Sequence, residues 1–155
     1  MNVRPLAQNP DEHARFAAHL DKLRQVADAD EADLVSRVLA DPDRTMAQSA
    51  VLRHVDRRAA DLHTGAAYEG WAQMMTQVMT DRPFLAQRLR EWLLFRAVTL
   101  KLPWQPHDLL ASSNWLQLKA AAGTNAGVIE FLAESGRTKR VRNAARATLN
   151  HRSES

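Results

Sequence analysis

The sequence predicts an all-α protein, for three reasons. The chain is poor in β-branched residues and rich in Ala, Leu, Arg and Gln, which favour helices. Its five glycines and six prolines fall mostly at the ends of segments whose apolar residues recur three and four positions apart. No segment of useful length alternates apolar and polar residues as a strand does. We therefore expect about 7–8 helices, paired as antiparallel hairpins in a single domain over residues 1–150, with residues 151–155 as a disordered tail.

Start signals divide the first half of the chain into four helices. Asn9 is the expected N-cap of the first helix, and Pro10 is its first residue. The second helix covers residues 31–40, and its acidic residues are expected on a solvated surface. The start signal of the third is Asp41-Pro42-Asp43, and this helix runs from there to about His63; the fourth follows Gly65. Each has one apolar face. The residues expected to be buried are Phe16, Leu20, Leu23 and Ala27, then Leu34, Val35, Val38 and Leu39, then Val51, Val55, Ala59 and Leu62, and finally Trp71, Met74, Met75, Val78 and Met79.

The segment from Asp81 to Leu102 predicts one long helix. Asp81 is a suitable N-cap, and Pro83 lies in the first turn, where a missing N–H has no cost. The second half of the segment has only three polar residues, which are Arg96, Thr99 and Lys101. A helix that is apolar nearly all round is normally enclosed by neighbours or by a partner, so we expect this helix to be the central, most buried element.

Three further helices are expected after a rigid link at residues 103–106 and a turn at residues 107–111. Ser112, Ser113 and Asn114 are all N-cap residues and predict a helix that ends near Gly123. Thr124 or Asn125 opens the next helix, which Gly136 ends. The inward residues of the last two helices are expected to be Val128, Ile129 and Leu132, then Val141, Ala145 and Leu149.

The last helix resembles the second helix of a HEAT repeat, an antiparallel helix pair that stacks into α-solenoids. In that repeat a Val-Arg pair is followed by small residues and Leu, and the corresponding positions here are Val141, Arg142, Ala144, Ala145 and Leu149. The repeat usually carries Asp five residues before the Val-Arg pair, where this chain has Gly136. The resemblance implies a short HEAT-like α-solenoid that serves as a protein-binding scaffold. A compact helical bundle is the alternative architecture.

Composition limits the chemistry. The chain has no cysteine, which excludes disulfides, thiolate zinc sites and thiol catalysis and fits a reducing compartment, so we expect a cytoplasmic protein. No stretch approaches the length and apolarity of a membrane span, and we expect no membrane partner. The six histidines are not spaced as metal ligands, and phosphate loops, dinucleotide fingerprints and nucleophile elbows are missing from the sequence. We therefore predict a protein that is not an enzyme and has no metal and no cofactor.

Charge is distributed unevenly along the chain. Residues 10–43 hold nine acids and four bases, a local net charge of −5, whereas residues 137–152 hold six bases and no acid. The basic residues of the last helix are the best candidate binding surface. The candidates are Arg137, Lys139, Arg140, Arg142 and Arg146.

Three functional hypotheses follow. The leading one is a non-enzymatic binding or adaptor module that recognises a protein through a helical surface. The alternative is a nucleic-acid (DNA)-binding protein that uses the basic last helix together with Arg53, Arg57 and Arg58. The third is a ligand pocket formed by Arg96, by His107 and by the link between Trp104 and Trp115. Oligomeric state stays open, because the apolar surface of the long helix could also be an interface.

Overall fold

The protein is all-helical, as predicted. A computed structural model describes residues 10–154, and within that range it has nine α-helices, one short 3-10 helix at Asp28–Asp30 and no strand. The helices are α1 (Pro10–Gln25), α2 (Glu31–Leu39), α3 (Arg44–Leu62), α4 (Tyr68–Val78), α5 (Pro83–Thr99), α6 (Pro106–Ala111), α7 (Asn114–Ala121), α8 (Ala126–Ser135) and α9 (Lys139–Ser153). None of these helices is long and apolar enough to cross a membrane. Asn9, the predicted first cap, lies outside the described residues.

Side-chain caps define four of the helix starts. The carboxylate of Asp43 accepts a hydrogen bond from the backbone N–H of Met46 at 3.0 Å, which satisfies one of the free donors in the first turn of α3. Equivalent caps start α7, α8 and α9, at Ser113, Asn125 and Thr138. These starts depend on residues three positions apart, and so they could be read from the sequence.

The chain divides into two compact units, the first ending at Ala86 and the second beginning at Gln87. In unit 1 the closest helix pairs are α1 with α3, α2 with α3 and α2 with α4. In unit 2 they are α8 with α9, α7 with α9 and α7 with α8. The single domain over residues 1–150 stays a prediction, and its predicted boundary lies inside α9, which continues to Ser153.

The predicted apolar faces are largely the buried ones. In unit 1 all four predicted residues of α2 are buried, as are Val51, Val55 and Ala59 of α3 and Trp71, Met75 and Met79 of the α4 segment. In unit 2 the core contains Val128, Ile129 and Leu132 of α8 together with Val141 and Ala145 of α9. Ala27 is exposed, because it lies beyond the end of α1.

The expectation that the long helix is the most buried element is wrong. The helix α5 begins at Pro83, so Asp81 lies before it, and its buried side chains are Leu85, Leu89, Glu91, Trp92 and Val98. Phe84 and Leu93 are about half exposed, at 56% and 51%. None of the closest helix pairs in the described range includes α5. Close backbone approach needs small side chains such as the alanines of α7, α8 and α9, whereas α5 presents large ones.

The end of α5 is an unusual turn. Lys101 has a φ of 58°, in the left-handed region that normally favours glycine. The N–H of Leu102 donates to the carbonyl of Ala97 at 2.8 Å, and that of Lys101 donates to the carbonyl of Val98 at 3.3 Å. These two bonds form a Schellman motif, which satisfies the last carbonyls of the helix.

Candidate binding surface

Helix α9 turns a small apolar face inward and a polar face outward. Val141 and Ala145 are fully buried, and Leu149 is half-buried on the same side. The side chain of Thr138 accepts from the N–H of Val141 at 3.1 Å and starts the helix. Burial of one stripe fixes which residues of α9 face solvent.

Three of the five predicted surface cations lie on that outer face with no carboxylate partner among the described residues. Lys139, Arg140 and Arg146 are exposed. Arg146 donates from Nη1 to a neighbouring amide, the Oδ1 of Asn143, at 3.3 Å. Within the described part of the chain, Lys139 and Arg140 have no hydrogen-bond or ion-pair partner. Their charge is therefore available to an external group.

The other two predicted cations have structural tasks. Arg137 donates from Nη1 to the carbonyl of Ser112 at 3.2 Å, and its backbone N–H donates to Oε1 of the buried Gln117 at 2.8 Å. Arg142 is half-buried and donates to the carbonyl of Gly136 at 2.8 Å. Arg142 thus closes the connection between α8 and α9, and Arg137 joins that connection to the end of α6, so both contribute less to a binding surface than the sequence indicates.

Lys139 and Arg140 lie at the end of α9 where the helix dipole disfavours a positive charge. They occupy the first two positions of α9, where the backbone N–H groups give the helix end a partial positive charge. A cation there costs about 0.3–1 kcal/mol at low ionic strength. Cations that served only solubility would interact favourably with the dipole at the C-terminal end of the helix. The first turn of α9 is thus a concentration of positive charge that an external anion would relieve.

The remainder of the outer face carries amides and no acid. Lys139, Asn143, Arg146 and Asn150 are spaced by four, three and four residues, so they form one exposed row along the helix. Residues 137–153 contain no Asp or Glu. At a rise of 1.5 Å per residue, this row offers hydrogen-bond donors over roughly 16 Å. It contains no negative charge that would repel an anionic partner.

Unit 2 also contains an open groove of about 550 Å³. Its lining includes the exposed Leu93, together with Leu94, Ala97 and Trp104, and the polar residues Arg90 and Asp108. Arg96, His107 and Trp115 lie outside this lining. Trp115 lies instead beneath the guanidinium of Arg88, 3.5 Å from ring centroid to Cζ. Of the residues considered for a ligand pocket from the sequence, this groove therefore contains Trp104.

The buried polar centre of unit 1 was not expected from the sequence. Glu31, assigned to the solvated surface of α2, has a side chain only 1% exposed. It accepts hydrogen bonds from Arg58 at 2.9 and 3.1 Å and from Nε1 of Trp71 at 3.0 Å, and it lies 2.6 Å from Nε2 of His54. The available signal was His54 itself, which lies three residues after Val51 on the buried face of α3.

The contacts of its two ring nitrogens indicate the tautomer of His54. Its Nδ1 lies 3.0 Å from Nη2 of Arg57, and a guanidinium can only donate, so Nδ1 must accept. In this tautomer Nε2 carries the hydrogen and donates a hydrogen bond to the carboxylate of Glu31. Burial alone would raise the pKa of Glu31, but the hydrogen bonds from His54, Arg58 and Trp71 and the charge of Arg58 outweigh it and lower that pKa to about 2. The cluster is a satisfied structural ion network.

Among the described residues, no three His, Asp or Glu side chains are grouped as metal ligands would be. Comparison of the chain with known protein families, with curated proteins and with solved structures found no match. Any functional conclusion therefore depends on the residues themselves.

Proposed function

We propose that this protein is a non-enzymatic binding module whose contact surface is the outer face of α9. The observation that carries the proposal is the pair Lys139 and Arg140, two exposed cations at the positive end of a helix that have no hydrogen-bond or ion-pair partner among residues 10–154. An arrangement that costs stability in the isolated protein is compensated when an anionic surface binds.

A protein partner with an acidic surface is the first candidate. Unit 2 presents exposed apolar side chains, Leu93, Leu102 and Leu110, which are 51%, 42% and 39% exposed. Protein interfaces combine such apolar contacts with a polar rim. The three free cations of α9 would supply electrostatic complementarity and the apolar surface would supply contact area.

The architecture of α8 and α9 supports a scaffold role. The two helices pack closely and are joined by only Gly136, Arg137 and Thr138. In the resemblance to HEAT repeats, Arg142 would pair with an Asp at position 136; here it donates instead to the carbonyl of Gly136 at 2.8 Å. We infer a HEAT-like helix pair in which a backbone oxygen replaces the usual carboxylate.

Nucleic acid is the second candidate, and the row Lys139, Asn143, Arg146 and Asn150 favours it. Amide and guanidinium groups donate to phosphates and to base edges. Three free cations would displace about three counterions, so log K should fall with log salt at a slope of about −3. Known tight binders of duplex DNA make more phosphate contacts than that, which is why a protein partner is placed first.

The test is a pull-down with the full chain and two charge-matched variants. One replaces Lys139, Arg140 and Arg146 by Gln, and the control replaces Lys22, Arg37 and Arg44, exposed cations of unit 1, by Gln. We expect the wild type and the control to capture the same partner and the α9 variant to lose it. Equal capture by all three proteins would show that α9 is not the surface. Loss of the partner after nuclease treatment would move nucleic acid to first place.

A further inference from the structure

Unit 1 contains a second concentration of positive charge, in a pocket of about 180 Å³ between α1 and α3. The pocket is open to solvent and is lined by Leu20 and Leu23 on the apolar side and by Arg24, Arg53, His54 and Arg57 on the polar side. Side chains of three arginines thus line one small space, in the half of the molecule whose sequence is acidic. This pocket is separate from α9 and from the function proposed for it.

Two of the three guanidinium groups have no carboxylate partner in the described residues. Arg53 contacts the ring of Phe16, 5.2 Å from Cζ to the ring centroid. Arg57 donates from Nη2 to the carbonyl of Leu23 at 3.3 Å and to Nδ1 of His54 at 3.0 Å. Arg24 pairs with Asp21 on its own helix. The pair of Arg24 and Asp21 is neutral overall, so the charges of Arg53 and Arg57 give the pocket a net positive charge.

Arg53 and Arg57 are also four residues apart on α3, so their like charges lie side by side on one face. Such a pair destabilises an isolated helix, and here neither charge is neutralised. The neutral partners explain why the side chains are held in place: cation–π contact fixes Arg53, and the carbonyl of Leu23 fixes Arg57. Two fixed cations without a counter-charge are a preorganised receptor for an anion.

We propose that this pocket binds a small phosphate-like oxyanion, either a free anion or the phosphate of a phosphomonoester. Planar guanidinium groups match the oxygens of phosphate in two-point hydrogen bonds, and the Nη1 of Arg57 and the head of Arg53 provide such donors. The small volume suits one phosphate group rather than an extended polyanion.

Binding there would reach the buried centre of unit 1 through Arg57. Nη2 of Arg57, a residue that lines the pocket, donates to His54, and Nε2 of His54 lies 2.6 Å from the carboxylate of Glu31. An anion that holds Arg57 in this position stabilises the chain of contacts from the pocket to Glu31. Phosphate should therefore raise the stability of the folded protein in addition to occupying the site.

The test measures unfolding midpoints of the full chain in sodium phosphate and in sodium chloride of equal ionic strength. Phosphate stabilises most proteins weakly by exclusion from their surface, and that effect is shared by all variants. For the wild type we expect a larger shift that saturates. Arg53→Gln and Arg57→Gln should each weaken the apparent affinity at least tenfold, whereas Arg44→Gln, an exposed control at the start of α3, should retain it.

The behaviour in chloride separates binding from folding. Arg53→Gln should be as stable as the wild type or more stable there, because it removes a like-charge contact and only one cation–π contact. Arg53 therefore remains informative even if Arg57→Gln, which loses two hydrogen bonds, is poorly folded. Calorimetric titration with inorganic phosphate and with phosphoserine distinguishes a free anion from a phosphorylated ligand. An identical phosphate shift in the wild type and in Arg53→Gln would overturn the proposal.

Discussion

Each unit buries one glutamate, and the two are stabilised in different ways. Glu31 in unit 1 interacts with an arginine, a histidine and a tryptophan from α3 and α4. Glu91 in unit 2 accepts hydrogen bonds from the backbone N–H of Ser113 at 2.9 Å, from its hydroxyl at 2.6 Å and from the amide of Gln87 at 3.2 Å. Unit 1 thus neutralises its buried carboxylate with a charge, and unit 2 solvates its own with neutral donors.

The difference extends to how each unit is held together. The bonds to Glu31 join three helices through side chains, so they depend on charge. In unit 2 the carboxylate of Glu91 holds Ser113, the N-cap of α7, and the amide of Gln117 donates to the carbonyl of Leu109 at 2.9 Å. Charge should therefore control the stability of unit 1, and close packing and backbone bonding that of unit 2.

The largest expected effect is that of Glu31→Gln. It leaves the largely buried Arg58 without its main counter-charge, and we expect a loss of about 3–5 kcal/mol in the free energy of unfolding. The matched change Glu91→Gln removes a charge whose hydrogen-bond donors are the neutral groups of Ser113 and Gln87, and it should cost about 1–3 kcal/mol in the free energy of unfolding. Urea unfolding of both variants measures the two losses. Equal losses would remove the distinction between the units.

Acid should act on unit 1 through Glu31. Its pKa is about 2 in the folded protein and about 4.5 in the unfolded chain, so its contribution is complete above pH 4.5 and is lost as the pH falls towards 2. That shift corresponds to about 3 kcal/mol. The stability difference between the wild type and Glu31→Gln, measured by urea unfolding from pH 7 to pH 2, should shrink over this window. A difference that stays constant with pH would contradict the assignment.

The packing of unit 2 is tested at Gly136. A Cβ at this residue would lie 2.6 Å from the carbonyl oxygen of Leu132 and 2.7 Å from Cγ1 of Val141. Gly136→Ala should therefore destabilise by about 1–3 kcal/mol. Gly136→Asp, which introduces the residue that the resemblance to HEAT repeats would place there, should cost at least as much.

Gly127 is the matched control for that change. It lies in the first turn of α8, and its nearest contact with an added Cβ is 3.6 Å, an ordinary distance. Gly127→Ala should raise the midpoint of thermal unfolding slightly, because alanine favours helices. If Gly136→Ala behaved like Gly127→Ala, close packing would not distinguish unit 2.

The smallest expected effect is a gain at the end of α5. Lys101 is exposed and has a left-handed backbone conformation, which costs a residue with a side chain about 1–2 kcal/mol. Lys101→Gly relieves that cost but adds entropy to the unfolded chain, so we expect a net gain of about 1 kcal/mol or less by chemical denaturation. A loss would indicate that the ammonium group itself stabilises the turn.

Local signals in the sequence predicted most of the helices but only part of the candidate site. The starts at Asp43, Ser113 and Asn125 were predictable, because a cap and the N–H that it accepts are three residues apart. The outer position of Lys139, Arg140 and Arg146 followed from the inward spacing of Val141 and Ala145. The hydrogen bonds that reduce the contribution of Arg137 and Arg142 to this surface could not be predicted from the sequence, because their acceptors are backbone carbonyls exposed by a particular turn.

By itself, therefore, the sequence determined the all-α class, the helix boundaries to within a few residues and the apolar face of most helices. These features arise from contacts within one turn of a helix, which neighbouring residues specify. Only the tertiary structure decided that Glu31 is buried against residues 23, 27 and 40 positions away, and that Arg24, Arg53 and Arg57 share a pocket. Those groups meet because the chain reverses direction between helices, and a pattern of residues within a helix holds no information about which distant charge it will face.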